Sequence, residues 1–346
     1  MAVDKPLVSI LMSIYNESPY FLRGAVESIL SQSYTNSEIV LISDNPHNDE
    51  LNKIAAGYAQ KDSRIKFIKN KENIGLTKSL NKGINCCNGK YLVRMDGDDI
   101  SLPTRIEMQV EYMEKHPEVD VASSNVCFID EEDHELSKSN LPTDNESIKA
   151  ELLFHSPIIH PAVIIRNEKT SEHSFQYDEH YRYSQDYALW VDMLKDGKRF
   201  GNIETCLLKY RLSSNQITSS KRDEQLEYTR KIQQKVWDYF GLQLSGESRE
   251  LLFKLIYDSK LLTEYKKKIV VEAISDFRMA AKGVLPPKAI NDTMRLLSGY
   301  YVHYLTASSG IGLCSLMNFW NYCVKTGRID MSSFLLLIKI LLTSRK

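Results

Sequence analysis

Three aspartates crowd the end of one apolar segment of the chain. The stretch KYLVRMDGDDISLP, residues 90–103, passes from a strand-like run into Asp96, Asp98 and Asp99, with one glycine among them. Like charges this close repel one another, so either a cation binds there or the cluster is open to water. Carboxylate oxygens are the ligands that Mg²⁺ and Mn²⁺ prefer, and the cluster therefore predicts a divalent cation site.

The segments around this cluster predict a layer in which strands and helices alternate, the pattern of a parallel α/β sheet. Asp96 and Asp44 directly follow predicted strands at residues 91–95 and 39–43, so both lie at the carboxyl edge of the sheet. Ligands of open α/β sheets bind at that edge. Because Mg²⁺ usually takes only one or two protein carboxylates and shares its other positions with phosphate and water, the pattern predicts a phosphate-bearing ligand.

Three other interpretations of the acidic segment fit the letters poorly. An EF-hand loop counted from Asp96 places Glu107 at position twelve, but Ser101 stands where glycine is needed and a strand precedes the loop. The turn after the first strand, YNESPY, contains no glycine, which excludes the dinucleotide fingerprint, and no P-loop occurs. An acidic turn that caps the next helix explains one aspartate but not three.

Strands stop near residue 220, and the rest of the chain is predicted to be helical. Residues 1–220 carry 24 Lys and Arg against 33 Asp and Glu, whereas residues 221–346 carry 20 against 12. We therefore predict an α/β catalytic domain over residues 1–220 and a helical domain over residues 221–346. The basic second part suggests a separate task, although chance variation between two solvated surfaces explains it equally well.

Composition places the chain among ordinary folded proteins. Hydrophobic residues make up 42% and charged residues 26% of its 346 residues. The six cysteines include no Cys-x-x-Cys pair, which favours a cytosolic protein over a zinc site or a disulfide framework. Residues 1–14 are interrupted by Asp4 and lack the form of a signal peptide.

The last segment, MSSFLLLIKILLTSRK, is both apolar and basic. Its apolar core, residues 334–342, is interrupted by Lys339 and is shorter than the roughly 20 residues that a spanning helix needs. It suits an anionic membrane surface, with Lys339, Arg345 and Lys346 among the lipid headgroups. An ordinary helix docked on the helical domain is the alternative.

Several motifs together resemble the family-2 glycosyltransferases of bacterial O-antigen and capsule synthesis, inverting enzymes with the GT-A fold. The motifs are VSILMSIYNESPYFLRGAVESILSQSY, EIVLISD, NIGLTKSLNKGIN, GKYLVRMDGDDISLPTRIEMQVEYMEKHPEVDV, YSQDYALWVDML and NIETCLLKYRLSSNQIT, in that order. They cover roughly residues 6–220 and leave the helical tail uncovered. A lone D-x-D is a weak signal, whereas D-G-D-D within this series is specific.

The resemblance implies a role for each matched residue. Asp96 and Asp98, with Asp99 beside them, match the D-x-D that holds Mn²⁺ or Mg²⁺ and the diphosphate of the donor. Asp186 matches the catalytic base. The other matches are Tyr15, Asn16 and Glu17 in the nucleotide-side turn after the first strand, Asp44 at the uracil or ribose, Arg211 near the diphosphate, and His160 on the acceptor side.

Structural alternatives stay open for four of these residues. Asp186 could cap the helix YALWVDML, because Asp is a favoured N-cap residue. His160 could be a hydrogen-bonded histidine of the core. Arg211 could pair with a structural acid, and Asp44 could be a turn residue.

The sequence also departs from the family at four places, one of which is SIYN in place of the usual P-T-Y-N. The segment ISDNPHND replaces the usual V-D-D-G-S-T-D, so Ser43 stands in place of an acid and one residue is added. Gln185 stands where the family often has glutamate before the base. Ser213 stands where a histidine often follows the Tyr-Arg pair, so no histidine is assigned to the metal.

These features together predict a metal-dependent, inverting hexosyltransferase. By resemblance, the donor is UDP-glucose or UDP-galactose, and the acceptor is a saccharide, with an undecaprenyl-diphosphate-linked one as the candidate. We expect a peripheral protein on the cytoplasmic face of the inner membrane, with no nucleic-acid partner. The alternatives are a nucleotidyltransferase, for which the first turn lacks a glycine-rich loop, and a non-catalytic nucleotide-sugar-binding module, against which Asp186 argues.

Overall fold

The structure of this chain is a computed structural model that describes residues 5–167, 175–213, 221–259, 262 and 267–309. The strands are β1 (Val8–Ile14), β2 (Ser37–Ser43), β3 (Ile65–Lys69), β4 (Tyr91–Asp96), β5 (Ile100–Ser101), β6 (Val121–Ile129), β7 (Glu135–Lys138), β8 (Ile164–Arg166) and β9 (Phe200–Arg211). The helices are α1 (Pro19–Leu30), α2 (Asp49–Lys61), α3 (Leu76–Ile84), α4 (Arg105–Lys115), α5 (Asn145–Leu152), α6 (Gln185–Lys195), α7 (Arg222–Tyr239), α8 (Gly246–Tyr257), α9 (Lys267–Ala281) and α10 (Pro287–Ser309).

The described strands form one sheet. Its order is β3-β2-β1-β4-β8-β6-β9-β5, and β7 pairs with β6 outside this path. Strands β3, β2, β1 and β4 run parallel, as the alternation of strands and helices predicts. Beyond β4 the sheet is mixed, because β8 is antiparallel to both β4 and β6 whereas β6 and β9 are parallel.

The inner strands of the parallel half of the sheet, β1, β2 and β4, are buried along almost their whole length. Every residue of β1 is buried, which explains why VSILMSI is nearly continuous in apolar residues instead of alternating. Two helices of this half, α1 and α2, begin at predicted caps. The side chain of Ser18 accepts a hydrogen bond from Phe21 N, and that of Asn48 accepts one from Leu51 N. Pro19 follows Ser18 in the first turn of α1, where the backbone N–H that proline lacks would have no partner within the helix.

One predicted strand is shorter in the structure than in the sequence pattern. The segment PAVIIR reads as a strand, yet only Ile164–Arg166 pairs as a strand, because His160–Ala162 forms a 3₁₀ turn. Pro161 has a fixed φ and no N–H, so it suits a turn better than a ladder position. The turn packs against β4 and β6 and so carries His160 into the interior.

The register of the parallel strands brings separate parts of the sequence to one edge. Ser13 of β1 lies beside Asp96 of β4, and Ile14 of β1 lies beside Ser43 of β2. The chain therefore leaves these three strands at the same level. This is the carboxyl edge of the sheet, where open α/β sheets bind ligands.

The chain separates into two compact units. One contains Met1–Ile148 and Ser156–Tyr228, and the other contains Lys149–His155 and Thr229–Lys346. The first unit contains the sheet, and the second is helical in its described residues. The predicted domain division at residue 220 stays a prediction.

The helical unit has an apolar core of its own. Trp237 Nε1 donates a hydrogen bond to the carbonyl oxygen of Leu153 at 2.7 Å, and the Phe154 ring packs against the rings of Trp237 and Phe277. Among the described helices, none combines the length and apolar character that crossing a membrane requires. The predicted interfacial segment, residues 331–346, lies outside the described residues.

Candidate active site

The D-G-D-D loop, residues 96–99, brings three carboxylates together at the end of β4. One oxygen from each of Asp96, Asp98 and Asp99 lies within 4.8 Å of the other two. Asp99 is 1% exposed, and its Oδ1 accepts a hydrogen bond from Arg211 N at 2.9 Å. Its Oδ2 is buried and meets no donor among the described residues. A buried carboxylate oxygen without a partner is unfavourable, so this atom is placed to receive a ligand.

Burial makes ionisation of the loop carboxylates unfavourable. Burial and the charge of Asp96 raise the pKa of Asp98 to about 6. Burial, followed by the charges of Asp96 and Asp98, raises the pKa of Asp99 well above its ordinary value. A divalent cation would reverse these effects, because it adds positive charge among hard oxygen ligands. The three side chains therefore fit Mg²⁺ or Mn²⁺.

A buried arginine beneath the loop already balances part of this charge. Arg94 is 3% exposed and lies two residues before Asp96 on β4, so both side chains leave the same face of the strand. Its Nη1 donates to Asp96 Oδ2 at 2.6 Å, and its Nη2 donates to Asp96 Oδ1, which makes a bidentate ion pair. Asp96 is thus partly neutralised by the protein, which leaves Asp98 and Asp99 in greater need of a cation.

Asp186 lies in the first turn of α6 and is half-buried. The residue that caps α6 is Ser184, in the left-handed conformation with φ 69°. Burial raises the pKa of Asp186, although hydrogen bonds from the N–H groups of Tyr187 and of Asp186 itself act against the rise. Arg94 lowers this pKa and Asp96 raises it, so Asp186 shares the electrostatic environment of the D-G-D-D loop. A carboxylate with a raised pKa is suited to accept a proton.

Asp44 follows β2 and is nearly fully buried, but its carboxylate is occupied by the protein. Its Oδ1 accepts hydrogen bonds from Asn70 Nδ2 at 2.8 Å and Ile74 N at 3.0 Å, and its Oδ2 accepts one from Gly75 N at 2.8 Å. These bonds hold the turn before α3, where Gly75 has a φ of 87° that favours glycine. Asp44 therefore organises this turn, and its contact with the uracil or ribose stays a prediction.

The turn after β1 carries the three residues predicted on the nucleotide side. Tyr15 and Asn16 are exposed, and Glu17 is half-buried. Asn45 Nδ2 donates to Asn16 Oδ1 at 2.9 Å, which joins the turns after β1 and β2. Glu17 Oε2 accepts from Tyr15 N at 2.8 Å and so closes the turn on itself. Their contact with a nucleotide stays a prediction.

Gly97 allows this turn to approach the D-G-D-D loop closely. A Cβ at position 97 would lie 2.8 Å from Ile14 Cγ2 and 3.3 Å from Glu17 Cδ, so a larger residue would push the two segments apart. Burial raises the pKa of Glu17 to about 7, and the charges of Asp98 and Asp96 add to the effect. The turn after β1 and the D-G-D-D loop thus form one acidic group of side chains.

Arg211 is buried, and its guanidinium contacts protein acceptors. Its Nε donates to Asp98 O at 2.8 Å, its Nη1 donates to Asp130 O at 2.8 Å, and its Nη2 lies 2.6 Å from Asp133 Oδ1. This arrangement matches the alternative in which Arg211 pairs with a structural acid. Contact between Arg211 and a diphosphate stays a prediction.

His160 is buried beside two aromatic rings. Its Nε2 lies 2.6 Å from the hydroxyl of Tyr177, and its ring packs edge-on against the rings of Tyr177 and Trp190. Burial lowers the pKa of His160 well below its ordinary value, and the charge of Arg94 adds to the effect. A neutral, hydrogen-bonded histidine suits the core, and a role for His160 on the acceptor side stays a prediction.

Known proteins resemble this chain in sequence. The profile of glycosyl transferase family 2 matches residues 9–175. An uncharacterized glycosyltransferase of Methanocaldococcus jannaschii is 34% identical over 256 residues, which cover 74% of this chain and 84% of that protein. The chain belongs to glycosyl transferase family 2. The predicted family is thereby confirmed, and the two alternatives, a nucleotidyltransferase and a non-catalytic binding module, are not favoured.

Two further relatives of this family 2 glycosyltransferase have names that specify a reaction or pathway. The amylovoran biosynthesis glycosyltransferase of Erwinia amylovora is 35% identical over 217 residues, 62% of this chain and 80% of that protein. The UDP-Gal:alpha-D-GlcNAc-diphosphoundecaprenol beta-1,3-galactosyltransferase of Escherichia coli is 31% identical over 235 residues, 66% of this chain and 81% of that protein.

Solved structures share the fold of this glycosyltransferase. S. aureus TarS in complex with UDP-GlcNAc superposes with a TM-score of 0.56 at 14% identity, over 93% of this chain and 92% of that chain. The mannosyltransferase PcManGT from Pyrobaculum calidifontis, in complex with GDP-Man and Mn²⁺, superposes with a TM-score of 0.53 at 13% identity, over 93% and 87%. At these identities the likeness concerns the fold alone, and it confirms the predicted GT-A architecture.

Several charged and polar residues of this glycosyltransferase site were missed by the sequence analysis. Arg105 Nη2 donates to the carbonyl oxygen of Arg94 at 2.8 Å, so a second buried arginine lies below the loop. Burial and the charges of Asp96 and Asp99 raise the pKa of Tyr210 well above its ordinary value, which places Tyr210 beside the same acids. One signal was available, because a charged residue such as Arg94 inside an apolar strand is rarely buried without a partner.

Proposed function

We propose that this family 2 glycosyltransferase is a metal-dependent, inverting hexosyltransferase with a UDP-sugar donor. The observation that carries the proposal is the D-G-D-D loop, whose three carboxylates offer oxygens within 4.8 Å of one another and include a buried oxygen of Asp99 without a described partner. Its place at the carboxyl edge of the sheet suits a nucleotide diphosphate. The names of the Escherichia coli relative, with UDP-Gal, and of the TarS complex with UDP-GlcNAc support a UDP-linked donor.

The acceptor that we propose is a saccharide on a lipid diphosphate, in the synthesis of a cell-surface polysaccharide. The Escherichia coli relative is named for a GlcNAc-diphosphoundecaprenol acceptor, and the Erwinia relative is named for amylovoran biosynthesis. A lipid-linked acceptor lies at an anionic surface, which would attract the 20 Lys and Arg of residues 221–346 against their 12 Asp and Glu. We accordingly propose a peripheral protein on the cytoplasmic face of the inner membrane.

The donor half of the reaction depends on the D-G-D-D loop. Asp98 and Asp99, with Asp96 beside them, are the residues that would hold Mn²⁺ or Mg²⁺. When bound, such a cation stabilises the negative charge that develops on the departing diphosphate. The pair between Arg94 and Asp96 holds one carboxylate of the loop in a fixed orientation.

The acceptor half depends on Asp186. As the acceptor hydroxyl attacks the anomeric carbon its proton must leave, and the Asp186 carboxylate takes it as a general base. Because one base acts and no covalent intermediate forms, the anomeric configuration inverts. Burial raises the pKa of this carboxylate and makes it a stronger proton acceptor, while the Tyr187 N–H and the positive charge of Arg94 act against the rise.

A screen of donors tests the proposal. The protein is incubated with UDP-glucose, UDP-galactose or UDP-GlcNAc and Mn²⁺ or Mg²⁺, with and without a synthetic GlcNAc-diphosphate lipid, and released UDP is measured. We expect release that requires the divalent cation and increases with the acceptor. Release that is absent with every donor, or that chelation with EDTA leaves unchanged, would contradict the proposal.

Replacement of the proposed base is the sharpest single test of the mechanism. Asp186→Asn should reduce transfer by about 10²–10⁴-fold, because an amide cannot accept the proton, while the donor Kd stays close to that of the wild type. Asp192→Asn is the matched control, since Asp192 lies on the same helix and pairs with Lys195 at 3.7 Å near the surface. Near-normal turnover by Asp186→Asn would remove Asp186 from the mechanism.

A further inference from the structure

Arg211 joins the metal-binding loop to two other parts of the chain. Its backbone N–H donates to Asp99 Oδ1 at 2.9 Å, and its Nε donates to the carbonyl oxygen of Asp98 at 2.8 Å. Its guanidinium carbon lies 4.1 Å from the centroid of the Phe21 ring at the start of α1. A guanidinium that stacks on an aromatic face and donates in the plane of its fork has one preferred orientation. The Arg211 side chain therefore holds the main chain of the loop at Asp98, and the Arg211 backbone holds the Asp99 carboxylate.

Asp133, in the turn between β6 and β7, fixes Arg211 from the opposite side. Its Oδ1 lies 2.6 Å from Arg211 Nη2, and its Oδ2 accepts a hydrogen bond from the Tyr20 hydroxyl at 3.1 Å. The carbonyl oxygen of Asp130, in the same turn, accepts from Arg211 Nη1 at 2.8 Å. An ion-pair contact on one oxygen and a hydrogen bond on the other hold the Asp133 carboxylate.

The backbone conformation at Asp133 limits which residues suit this position. Its φ is 69°, in the left-handed region that residues other than glycine rarely occupy. Asn and Asp tolerate this conformation better than most residues, and glycine tolerates it best. Glycine or asparagine would therefore adopt this backbone conformation at least as well as aspartate. The property that only aspartate adds is a negative charge beside Arg211.

We propose that Asp133 is a positioning residue that acts through the Arg211 guanidinium to hold the D-G-D-D loop at Asp98 in the arrangement that binds a divalent cation. Without the Asp133 carboxylate, the guanidinium would lose its counter-charge and be drawn toward the carboxylates of the loop, whose main chain its Nε already contacts at Asp98. Arg211 would then compete with the cation for Asp98 and Asp99. This inference rests on the proposed function, since it takes residues 96–99 as the cation-binding loop.

The test compares the binding of Mn²⁺ and UDP with turnover. Asp133→Asn keeps the size of the side chain and its tolerance of the left-handed conformation, but it removes the charge. We expect the affinity for UDP in the presence of Mn²⁺ to fall by about tenfold, the size of effect that loss of one charge-assisted hydrogen bond produces. We expect kcat at saturating Mn²⁺ and donor to change by less than about threefold, because Asp186 is untouched. Calorimetry measures UDP binding, and electron paramagnetic resonance measures bound Mn²⁺ without turnover.

Asp62→Asn is the matched control for a purely structural effect. Asp62 also pairs with an arginine, Arg64, at 2.7 Å, and this pair lies at the amino end of β3, on the edge of the sheet opposite to the loop. A structural effect would lower the thermal stability of both variants and leave their affinity for Mn²⁺ and UDP unchanged. A shift in affinity that is as large in Asp62→Asn as in Asp133→Asn would overturn the proposal.

Two further variants keep the proposal testable if Asp133→Asn does not fold. Asp133→Gly removes the carboxylate and relaxes the backbone, so it should lose affinity as the asparagine variant does. Tyr20→Phe removes one hydrogen bond from the carboxylate at a side chain that is 66% exposed, and it should lose less affinity in the same direction. Wild-type affinity in both variants would overturn the proposal.

The wild-type protein separates failure of this inference from failure of the proposed function. If the wild type binds Mn²⁺ and UDP and Asp133→Asn binds them equally well, the positioning role is wrong and the proposed function stands. If the wild type binds neither Mn²⁺ nor UDP, the proposed function is wrong and the positioning role falls with it.

Discussion

Asp44 and Asp99 are both buried aspartates at the carboxyl edge of the same sheet, and they differ in what surrounds them. The Asp44 carboxylate accepts three hydrogen bonds, from Asn70 Nδ2 and from the N–H groups of Ile74 and Gly75. The Asp99 carboxylate accepts one, from the N–H of Arg211, and its other oxygen has no donor in the described part of the chain. Asp99 also lies beside two further carboxylates, whereas Asp44 lies beside backbone donors.

This difference separates a carboxylate that stabilises a turn from one arranged to receive a ligand. A buried carboxylate with enough N–H partners is stable by itself. A buried carboxylate with an unpaired oxygen and neighbours of like charge is stable only when a cation joins it, or when it takes up a proton. The raised pKa values of Asp98 and Asp99 are therefore a consequence of their arrangement. In the metal-free protein, the ionised forms of these two carboxylates oppose folding.

The largest difference between the two aspartates should appear in activity. Asp99→Asn should reduce cation-dependent UDP release by about 100-fold or more, because it removes a proposed cation ligand. The same change should raise the free energy of unfolding in EDTA by about 1 kcal/mol, because it removes a buried like charge. UDP-release assays and thermal unfolding measure the two effects. Full activity with reduced stability would make Asp99 a structural residue like Asp44.

Asp44→Asn should show the opposite pattern. The amide group replaces one acceptor oxygen with a donor that faces an N–H, so the free energy of unfolding should fall by about 1–3 kcal/mol. Turnover of the folded variant should fall by less than about tenfold, since the carboxylate of Asp44 is occupied within the protein. Urea unfolding and donor KM check this expectation. Unchanged stability with lost donor binding would instead support the predicted contact between Asp44 and the nucleotide.

The smallest effect should be a pH dependence of stability in the metal-free protein. The pKa of Asp98 is raised from 3.8 to about 6 in the folded state, so the folded state binds a proton more readily than the unfolded chain. The resulting stabilisation is complete below the unfolded pKa and is lost as the pH rises through the folded pKa. We therefore expect the free energy of unfolding in EDTA to decrease between about pH 4 and pH 6 through this residue.

Asp98→Asn removes this contribution together with the effect of the Asp98 charge on the pKa values of Asp99 and Glu17. His160 acts in the other direction, because its lowered pKa removes stability as the pH falls below its ordinary value of 6.5. His160 contributes equally to the pH slopes of the wild type and of Asp98→Asn, so the difference between the two slopes is free of its effect. This difference should shrink in saturating Mn²⁺, which favours the ionised carboxylate. A wild-type pH slope that Asp98→Asn leaves unchanged would show that Asp98 is not the titrating group.

Features that depend on neighbours in sequence were predictable. The caps at Ser18 and Asn48 and the buried run of β1 follow from residue type and spacing, and the structure has each of them. The parallel direction of β1, β2, β3 and β4 follows from the alternation of strands and helices, whereas their order in the sheet was not predicted. The cluster of Asp96, Asp98 and Asp99 was predictable for the same reason, because one loop carries all three.

Features that depend on contacts between distant segments were not predictable in the same way. The antiparallel insertion of β8 between β4 and β6 requires the whole sheet. The ion pair between Arg211 and Asp133 depends on how β9 and the β6–β7 turn approach the loop, and nothing near position 133 in the sequence marks it. Asp44 and Asp99 look alike in sequence, since each is an aspartate that comes shortly after the end of a strand.

The sequence by itself determined which residues gather at the edge of the sheet, because strand ends and parallel direction are local properties that few residues encode. Only the tertiary structure decided which of these side chains already have hydrogen-bond partners within the protein. Arg211 meets Asp99 across a separation of 112 residues, and Asn70 and Gly75 meet Asp44 from another strand end and turn. Whether a buried carboxylate organises the fold or awaits a cation depends on such partners, and their positions are a property of the folded chain.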